Sequence, residues 1–185
     1  MRIVLIGAPG AGKGTQGVVL AERRGVPYLS TGDLLRDNVA RGTDLGRRVA
    51  EYLDRGELVP DDLMVEIVLD RLGALDGRGG YVLDGFPRTV AQAEAAERSV
   101  PGGLADVVVF LALPDEVARQ RLEHRASGRS DDADGDTIDH RLQVFHAETE
   151  PLVDFYRDQG ALRAVDATEP PDAVLAAIEA VLPSA

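Results

Sequence analysis

The chain has 185 residues, 44% of them hydrophobic but only 4% aromatic, no cysteine, and a formal net charge of -12. That length suits one domain with an aliphatic core burying roughly 70% of the unfolded surface. The missing thiols exclude disulfides and thiolate zinc sites, the acidity argues against nucleic-acid or anionic-membrane partners, and no apolar stretch approaches the ~18 residues of a membrane span or the length of a secretory leader.

Residues 2–6 form a short β-rich apolar run, expected to be a buried strand. Gly7-Ala8-Pro9-Gly10-Ala11-Gly12-Lys13-Gly14-Thr15 follows, and Gln16 to Arg24 reads as a helix that Gly25 ends. Lys13 is the only lysine among 20 cationic side chains; the other nineteen are arginines. In so arginine-rich a chain, a lone lysine marks a place that arginine cannot serve. A glycine-rich loop opening a helix aims backbone N–H groups at phosphate, and a compact ammonium enters that cradle where a planar fork does not. The strict motif has Ser or Thr directly after the lysine. Here Gly14 intervenes and the hydroxyl arrives at Thr15, which disfavours the GTPase arrangement in which it ligates magnesium.

Residues 27–30 are expected as a second strand, and Thr31-Gly32-Asp33-Leu34-Leu35-Arg36 begins a helix directly after it. Thr31 and Asp33 either cap that helix or face a ligand at the carboxyl end of the strand. Thr43 and Gly56 bracket a helix carrying Leu45, Val49 and Leu53 at four-residue spacing, and Pro60 starts another with Asp61 and Asp62 in its first turn. Residues 81–84 read as a third strand ending in Asp84, a position from which a carboxylate either reaches a magnesium shell or is merely solvated. In Gly85-Phe86-Pro87-Arg88-Thr89 two backbone-constraining residues precede an arginine, aiming it at an anion or forming a turn, with Gln92 one helical turn beyond. Residues 106–111 are a fourth strand, and Pro114 starts a helix on which Arg121 and Arg125 share a face. Arg129 follows, then Thr137 as the cap of the next helix with Arg141 one turn inside. Residues 162–166 make the fifth strand, and Pro171 precedes the last helix. Five short strands alternating with helices predict an α/β fold with a parallel sheet and helices on both faces. Segments 31–59 and 126–137 are elaborations on that sheet. The acidic run Asp132–Asp136 lacks the glycine and glutamate of a calcium loop and reads as solvated, and His124, His140 and His146 have no metal-ligand spacing.

GAPGAGKGT at 7–15, TGDLLR at 31–36 and DGFPRT at 84–89, in this order and at these separations, resemble the adenylate kinase family of nucleoside monophosphate kinases in its short-lid form. The resemblance covers essentially the whole chain. It implies a single P-loop NTPase-type kinase domain over 1–185, with an NMP-binding segment at 31–59 and a short lid at 126–137. The implied reaction moves the terminal phosphoryl group of MgATP to AMP, reversibly giving two ADP; a UMP/CMP kinase of the same fold is the alternative. Relatives acting on pyrimidine monophosphates typically carry Ala at position 31 and Asn at position 89, whereas this chain has Thr31 and Thr89.

By the same resemblance Gly10, Ala11, Gly12, Lys13, Gly14 and Thr15 hold ATP, together with Arg121, Arg125 and the Thr168-Glu169 stretch beside adenine. Thr31, Arg36, the Glu57-Leu58-Val59 backbone, Gly85, Phe86, Pro87, Arg88 and Gln92 hold AMP, and Arg129 and Arg141 reach phosphates of both nucleotides. Lys13, Arg88, Arg125, Arg129 and Arg141 are the implied catalytic set, while Asp33 and Asp84 organise Mg2+ through its waters. Arg119 matches nothing in the family and is expected on the surface. A lid this short, without cysteine, holds no zinc. The expected partners are the small nucleotides ATP, AMP and ADP, for a cytoplasmic monomer. Among rivals, a GTPase switch needs an Asn-Lys-x-Asp guanine element, and the chain has no second lysine. A P-loop protein that binds ATP without transferring phosphate is the other.

Overall fold

Strand β1 (Arg2–Gly7) lies at the centre of a five-stranded sheet, with β3 (Tyr81–Asp84) and then β2 (Tyr28–Ser30) on one side, and β4 (Val107–Ala112) and then β5 (Leu162–Asp166) on the other. The computed structural model describes residues 1–75, 79–125 and 135–183. All four pairings are parallel. The strand order departs in both directions from β1, so the loop after Gly7 leaves the sheet at its switch point, where a crevice opens at the carboxyl ends. The register brings the candidate residues to that edge: Leu5 is opposite Asp84, Ser30 is opposite Asp84, and Gly7 is opposite Leu111.

Period-2 alternation divides the strand side chains between two cores. Val4, Ile6, Leu83 and Val108 face one cluster with Met64, Val68, Ala93, Ala96, Leu152 and Tyr156. These come from α4 (Asp61–Gly73), α5 (Val90–Ser99) and α8 (Pro151–Asp158). Leu35 of α2 (Thr31–Ala40) and Val49 of α3 (Asp44–Arg55) join the same cluster. Ile3, Leu5, Val82, Val107 and Val109 face the other, with Leu20 from α1 (Lys13–Arg24) and Val174, Leu175 and Ile178 from α9 (Pro171–Val181). A third, smaller cluster joins Ala8 of the glycine-rich loop to Ala118 and Leu122 of α6 (Asp115–Arg125) and to Ile138 and Leu142 of α7 (Gly135–Val144). The loop is therefore packed from behind as well as hung from the sheet.

Several boundaries differ from expectation. Helix α1 begins at Lys13 rather than Gln16, because the Gln16 N–H already donates to the Gly12 carbonyl at 2.9 Å and so closes the first turn over Lys13–Thr15. The cap of α2 is Ser30, whose Oγ accepts from the Asp33 N–H at 3.1 Å, so neither Thr31 nor Asp33 caps it. Thr137 lies inside α7 instead of capping it, and a π turn (Phe145–Thr149) joins α7 to α8. Pro171 is the first residue of α9, a position where its missing N–H costs nothing. Thr43 and Gly56 bracket α3 as expected. Of the segment 126–137, residues 126–134 lie outside the described residues.

Candidate active site

Strand β1 delivers the chain into the loop, and the turn Ala8–Ala11 closes with Ala11 N–H donating to the Ala8 carbonyl at 3.1 Å. At Gly12 no protein atom lies within 4 Å of where a Cβ would stand, so this side of the loop opens into the cleft. Gly10, Gly12, Lys13, Gly14 and Thr15 line that cleft at the N-terminus of α1. The first-turn N–H groups of a helix have no intrahelical acceptor and carry partial positive charge, which makes this lining receptive to phosphate. The Lys13 ammonium folds back over the loop, donating to the carbonyls of Gly7 at 2.6 Å and Ala8 at 3.0 Å. Its side chain lines the same cleft as Gly14 and Thr15.

A second hollow opens beside the end of β3. Leu35, Leu53, Leu58, Val59 and Met64 form its apolar wall, Thr31, Gly85 and Gln92 supply polar groups, and Arg36, Arg88 and Arg141 border it. An apolar wall with a few placed polar groups suits a flat base, and an arginine mouth suits its phosphate. Gly85 has φ of 85°, and a Cβ there would meet Thr31 Oγ1 at 2.5 Å, so only glycine lets the chain turn this close to α2. The Thr31 hydroxyl is buried and donates to the Asp84 carbonyl at 3.3 Å, and Arg88 Nε donates to the Gly85 carbonyl at 2.9 Å. The Phe86–Pro87 peptide between them is cis.

Gly32, Arg36, Gly85, Arg88 and Arg141 line both hollows, which therefore meet at one arginine cluster. Arg88 is open to solvent in the cleft yet walled by protein on its other sides. Those walls push its pKa below the ordinary arginine range, Arg141 and Arg36 push the same way, and Asp84 opposes them. Crowding three guanidiniums costs energy that a polyanion would recover on binding. Arg36 also holds Asp33 in an ion pair at 2.6 Å.

Asp84 is only 9% exposed, and its Oδ2 accepts from the Tyr28 hydroxyl at 2.9 Å. Burial first, and then the adjacent Asp84 charge, raise the Tyr28 pKa, so the phenol stays a donor. Asp33 and Asp84 line the cleft together with Gly14 and Thr15. Among the described residues no group of three His, Asp or Glu side chains converges on one point. A carboxylate pair without a full protein cage fits Mg2+, which keeps its waters and takes the rest of its shell from phosphates.

Other sequence-predicted residues fall elsewhere. Ala11 and Phe86 are 2% and 0% exposed, so their side chains belong to the core and only their backbone adjoins the site. Pro87 lines a neighbouring hollow with Lys13, Leu58 and Arg141. Glu57 borders the second hollow and pairs with Arg55 at 3.6 Å. Arg121 Nη2 donates to the Thr168 carbonyl at 3.1 Å, tying α6 to the segment that carries the exposed Glu169. Arg129 and the side chain of Arg125 lie outside the described residues. Arg119, expected on the surface, is partly exposed and pairs with Asp139 at 2.6 Å, bracing α6 against α7. Sequence reasoning missed Tyr28 and Asp61. Strand alternation, which puts Tyr28 on the same face as Ser30, was the one available signal for the first. Asp61 reads from sequence only as a favourable first-turn charge.

The family model described as adenylate kinase matches residues 5–161. The adenylate kinase of Thermobifida fusca (strain YX) is 48% identical over 174 residues, covering 92% of each chain. That of Mycobacterium bovis (strain BCG / Pasteur 1173P2) is 48% identical over 178 residues, covering 95% of this chain and 96% of the relative. The adenylate kinase of Lachnospira eligens is 39% identical over 212 residues, covering 98% of this chain and all of the relative.

Proposed function

This chain belongs to the adenylate kinase family, and we propose that it transfers the terminal phosphoryl group of ATP to AMP, reversibly giving two ADP. The observation that carries the reading is the shared arginine cluster: a phosphate-loop hollow and a second hollow with one apolar wall meet at Arg36, Arg88 and Arg141. In our reading a donor phosphate on the Lys13 side would face an acceptor phosphate on the Arg88 side.

The acceptor oxygen is already largely ionised at neutral pH, because the second phosphate pKa is about 6, so no side-chain base is needed. Catalysis then rests on positioning and charge stabilisation. ATP and AMP bring roughly six negative charges together. In our reading Lys13, Arg36, Arg88, Arg125, Arg129 and Arg141 supply the compensating cations, with Arg121 and the Thr168-Glu169 backbone on the donor-base side. Thr31, the Glu57–Val59 backbone, Gly85 and Gln92 hold the acceptor base. Asp33 and Asp84 would hold Mg2+ through water, and the ion supplies charge neutralisation on the donor phosphates. We assign 31–59 as the NMP-binding segment and 126–137 as the short lid of one domain.

The enzyme works as a monomer in the cytoplasm on this reading. Only Val18 and Val39 stand among the described residues as exposed large hydrophobics, and no described helix is long and apolar enough to cross a membrane. A panel assay decides the reaction. ADP should form from ATP only when AMP is added, far better than with UMP or CMP, and should stop when magnesium is withdrawn. ATP consumption that ignores AMP would reduce the protein to an ATP-binding or hydrolysing module.

A further inference from the structure

Beside the acceptor hollow runs a hydrogen-bond circuit in which Asp61 and Thr89 have no part in this reaction scheme. Gln92, on the first turn of α5 and only 1% exposed, lines the hollow. Its Nε2 donates to Asp61 Oδ1 at 2.7 Å, and its Oε1 accepts the Arg88 backbone N–H at 2.8 Å. Asp61, the first residue of α4, also accepts the Thr89 hydroxyl through Oδ2 at 2.9 Å. That hydroxyl in turn accepts the Gln92 backbone N–H at 3.1 Å, as the cap of α5.

Each link runs in one sense only. A carboxylate accepts and does not donate, and a backbone N–H donates and does not accept. Rotating the Gln92 amide by half a turn would set its carbonyl against Asp61 and its NH2 against the Arg88 N–H, replacing two hydrogen bonds with two repulsions. The amide has two N–H donors and two carbonyl lone pairs, and the circuit uses one of each. What remains is one donor and one acceptor in a fixed order.

We propose that Asp61 is a positioning residue for base selectivity: by locking the Gln92 amide it makes the hollow accept a purine whose edge pairs a ring-nitrogen acceptor with an exocyclic amino donor, and reject the same shape with the polarity reversed. The 6-oxo purine carries a ring N–H beside a carbonyl, so it meets the locked amide donor to donor and acceptor to acceptor. The inference rests on the AMP reading above and adds to it the source of the discrimination. Asp61 touches no substrate in this scheme; it acts through Gln92 and, by the Thr89 cap and the Arg88 N–H, keeps the start of α5 in register with it.

The test compares kcat/KM for AMP and for inosine monophosphate in the wild type, Asp61→Ala and Asp61→Asn. The Asn variant is isosteric and keeps the tie between α4 and α5, yet it can meet Gln92 with either end of its amide, so it carries the test if the Ala variant fails to fold. The wild type should prefer AMP. Both variants should narrow that preference by about tenfold, the scale of one bidentate contact, chiefly through KM for AMP with KM for ATP unchanged. A purely structural role would lower both monophosphates together and leave the ratio alone. An unchanged ratio in folded Asp61→Asn, or a wild type that uses both monophosphates equally, overturns the inference while the kinase reaction stands. A wild type inert towards AMP overturns both.

Discussion

The two ends of the parallel sheet use arginine in opposite ways. At the amino end Arg2 is saturated by its own chain: it donates to Asp106 Oδ1 through Nη2 at 2.7 Å and Nε at 3.1 Å, and to the carbonyls of Gly102 at 2.7 Å, Gly103 at 2.5 Å and Pro101 at 3.1 Å. Its hydrogen bond to Asp106 raises the Arg2 pKa, against an opposing effect of burial. Burial alone would lift the Asp106 carboxyl, but the Arg2 hydrogen bonds and charge outweigh it and hold that carboxyl below its ordinary value. At the carboxyl end Arg88 is walled in beside Arg36 and Arg141, and its pKa is pushed down. A guanidinium saturated by chain acceptors and one carboxylate stabilises the fold. Guanidiniums gathered beside one another around a cleft repel, even where each also has a chain partner, and an anion would relieve that repulsion.

Single substitutions at the two ends should therefore separate activity from stability. The largest effect is expected at the phosphate loop, where Lys13→Arg keeps the charge but not the shape. Its kcat should fall on the order of 10²–10³, as for loss of one preorganised donor, in a protein that still folds. Turnover near the wild-type rate in that variant would remove the steric argument for a lysine at this position.

Next comes Arg88→Ala, for which kcat with AMP should drop by at least ~10² while ATP binding, titrated alone, is kept. Removing one of three crowded cations should leave the melting temperature the same or slightly higher. If this variant lost ATP affinity and kept AMP affinity and turnover, the assignment of donor and acceptor sides would be reversed.

Arg2→Ala should do the converse. Losing a charge-assisted network that is partly open to water should cost about 2 kcal/mol, or a fall of about 5 °C in melting temperature for a chain of this size, with kcat and KM intact. A stable Arg2→Ala protein with impaired kinetics would erase the contrast between the two ends.

The smallest effect is at His146, whose ring bridges Glu150 at 2.9 Å and Asp115 at 2.9 Å on the surface between α6 and the π turn. Hydrogen bonds to Glu150 and then Asp115 raise its pKa, against a weaker opposing effect of burial. The stability this clasp contributes is fully present below the unfolded histidine value near ~6.5 and is lost as pH rises through the raised folded value. Imidazole chemical shifts followed against pH should give a midpoint for His146 above the ordinary histidine value of ~6.5. Asp115→Asn should bring the midpoint down, and a midpoint it does not move would deny the bridge a role.

Strand–loop–helix order, the five strands, the phosphate loop around Lys13 and the strand-end Asp84 were legible from residues alone, because hydrophobic periodicity and glycine or proline punctuation are local signals. The three motifs carried the family. What those signals left open was whatever depends on residues distant in sequence meeting in space. Thr31 reads locally as a helix cap, yet Ser30 caps α2 and the Thr31 hydroxyl turns to the Asp84 carbonyl, 53 residues away. Phe86 stands inside the DGFPRT motif, yet its side chain is 0% exposed in the core cluster that also holds Leu83 and Ala93, a packing partnership the motif does not spell out. Tyr28 on Asp84, and Asp61 on Thr89 and Gln92, have no signature in sequence, since a hydrogen bond between two elements leaves no periodic trace in either. The sequence by itself determined the fold and the place of the glycine-rich loop at the start of α1, through local backbone chemistry. Only the tertiary structure decided which arginines crowd together and which way the Gln92 amide is turned, because both are set by neighbours that the parallel register and helix packing bring within hydrogen-bond reach.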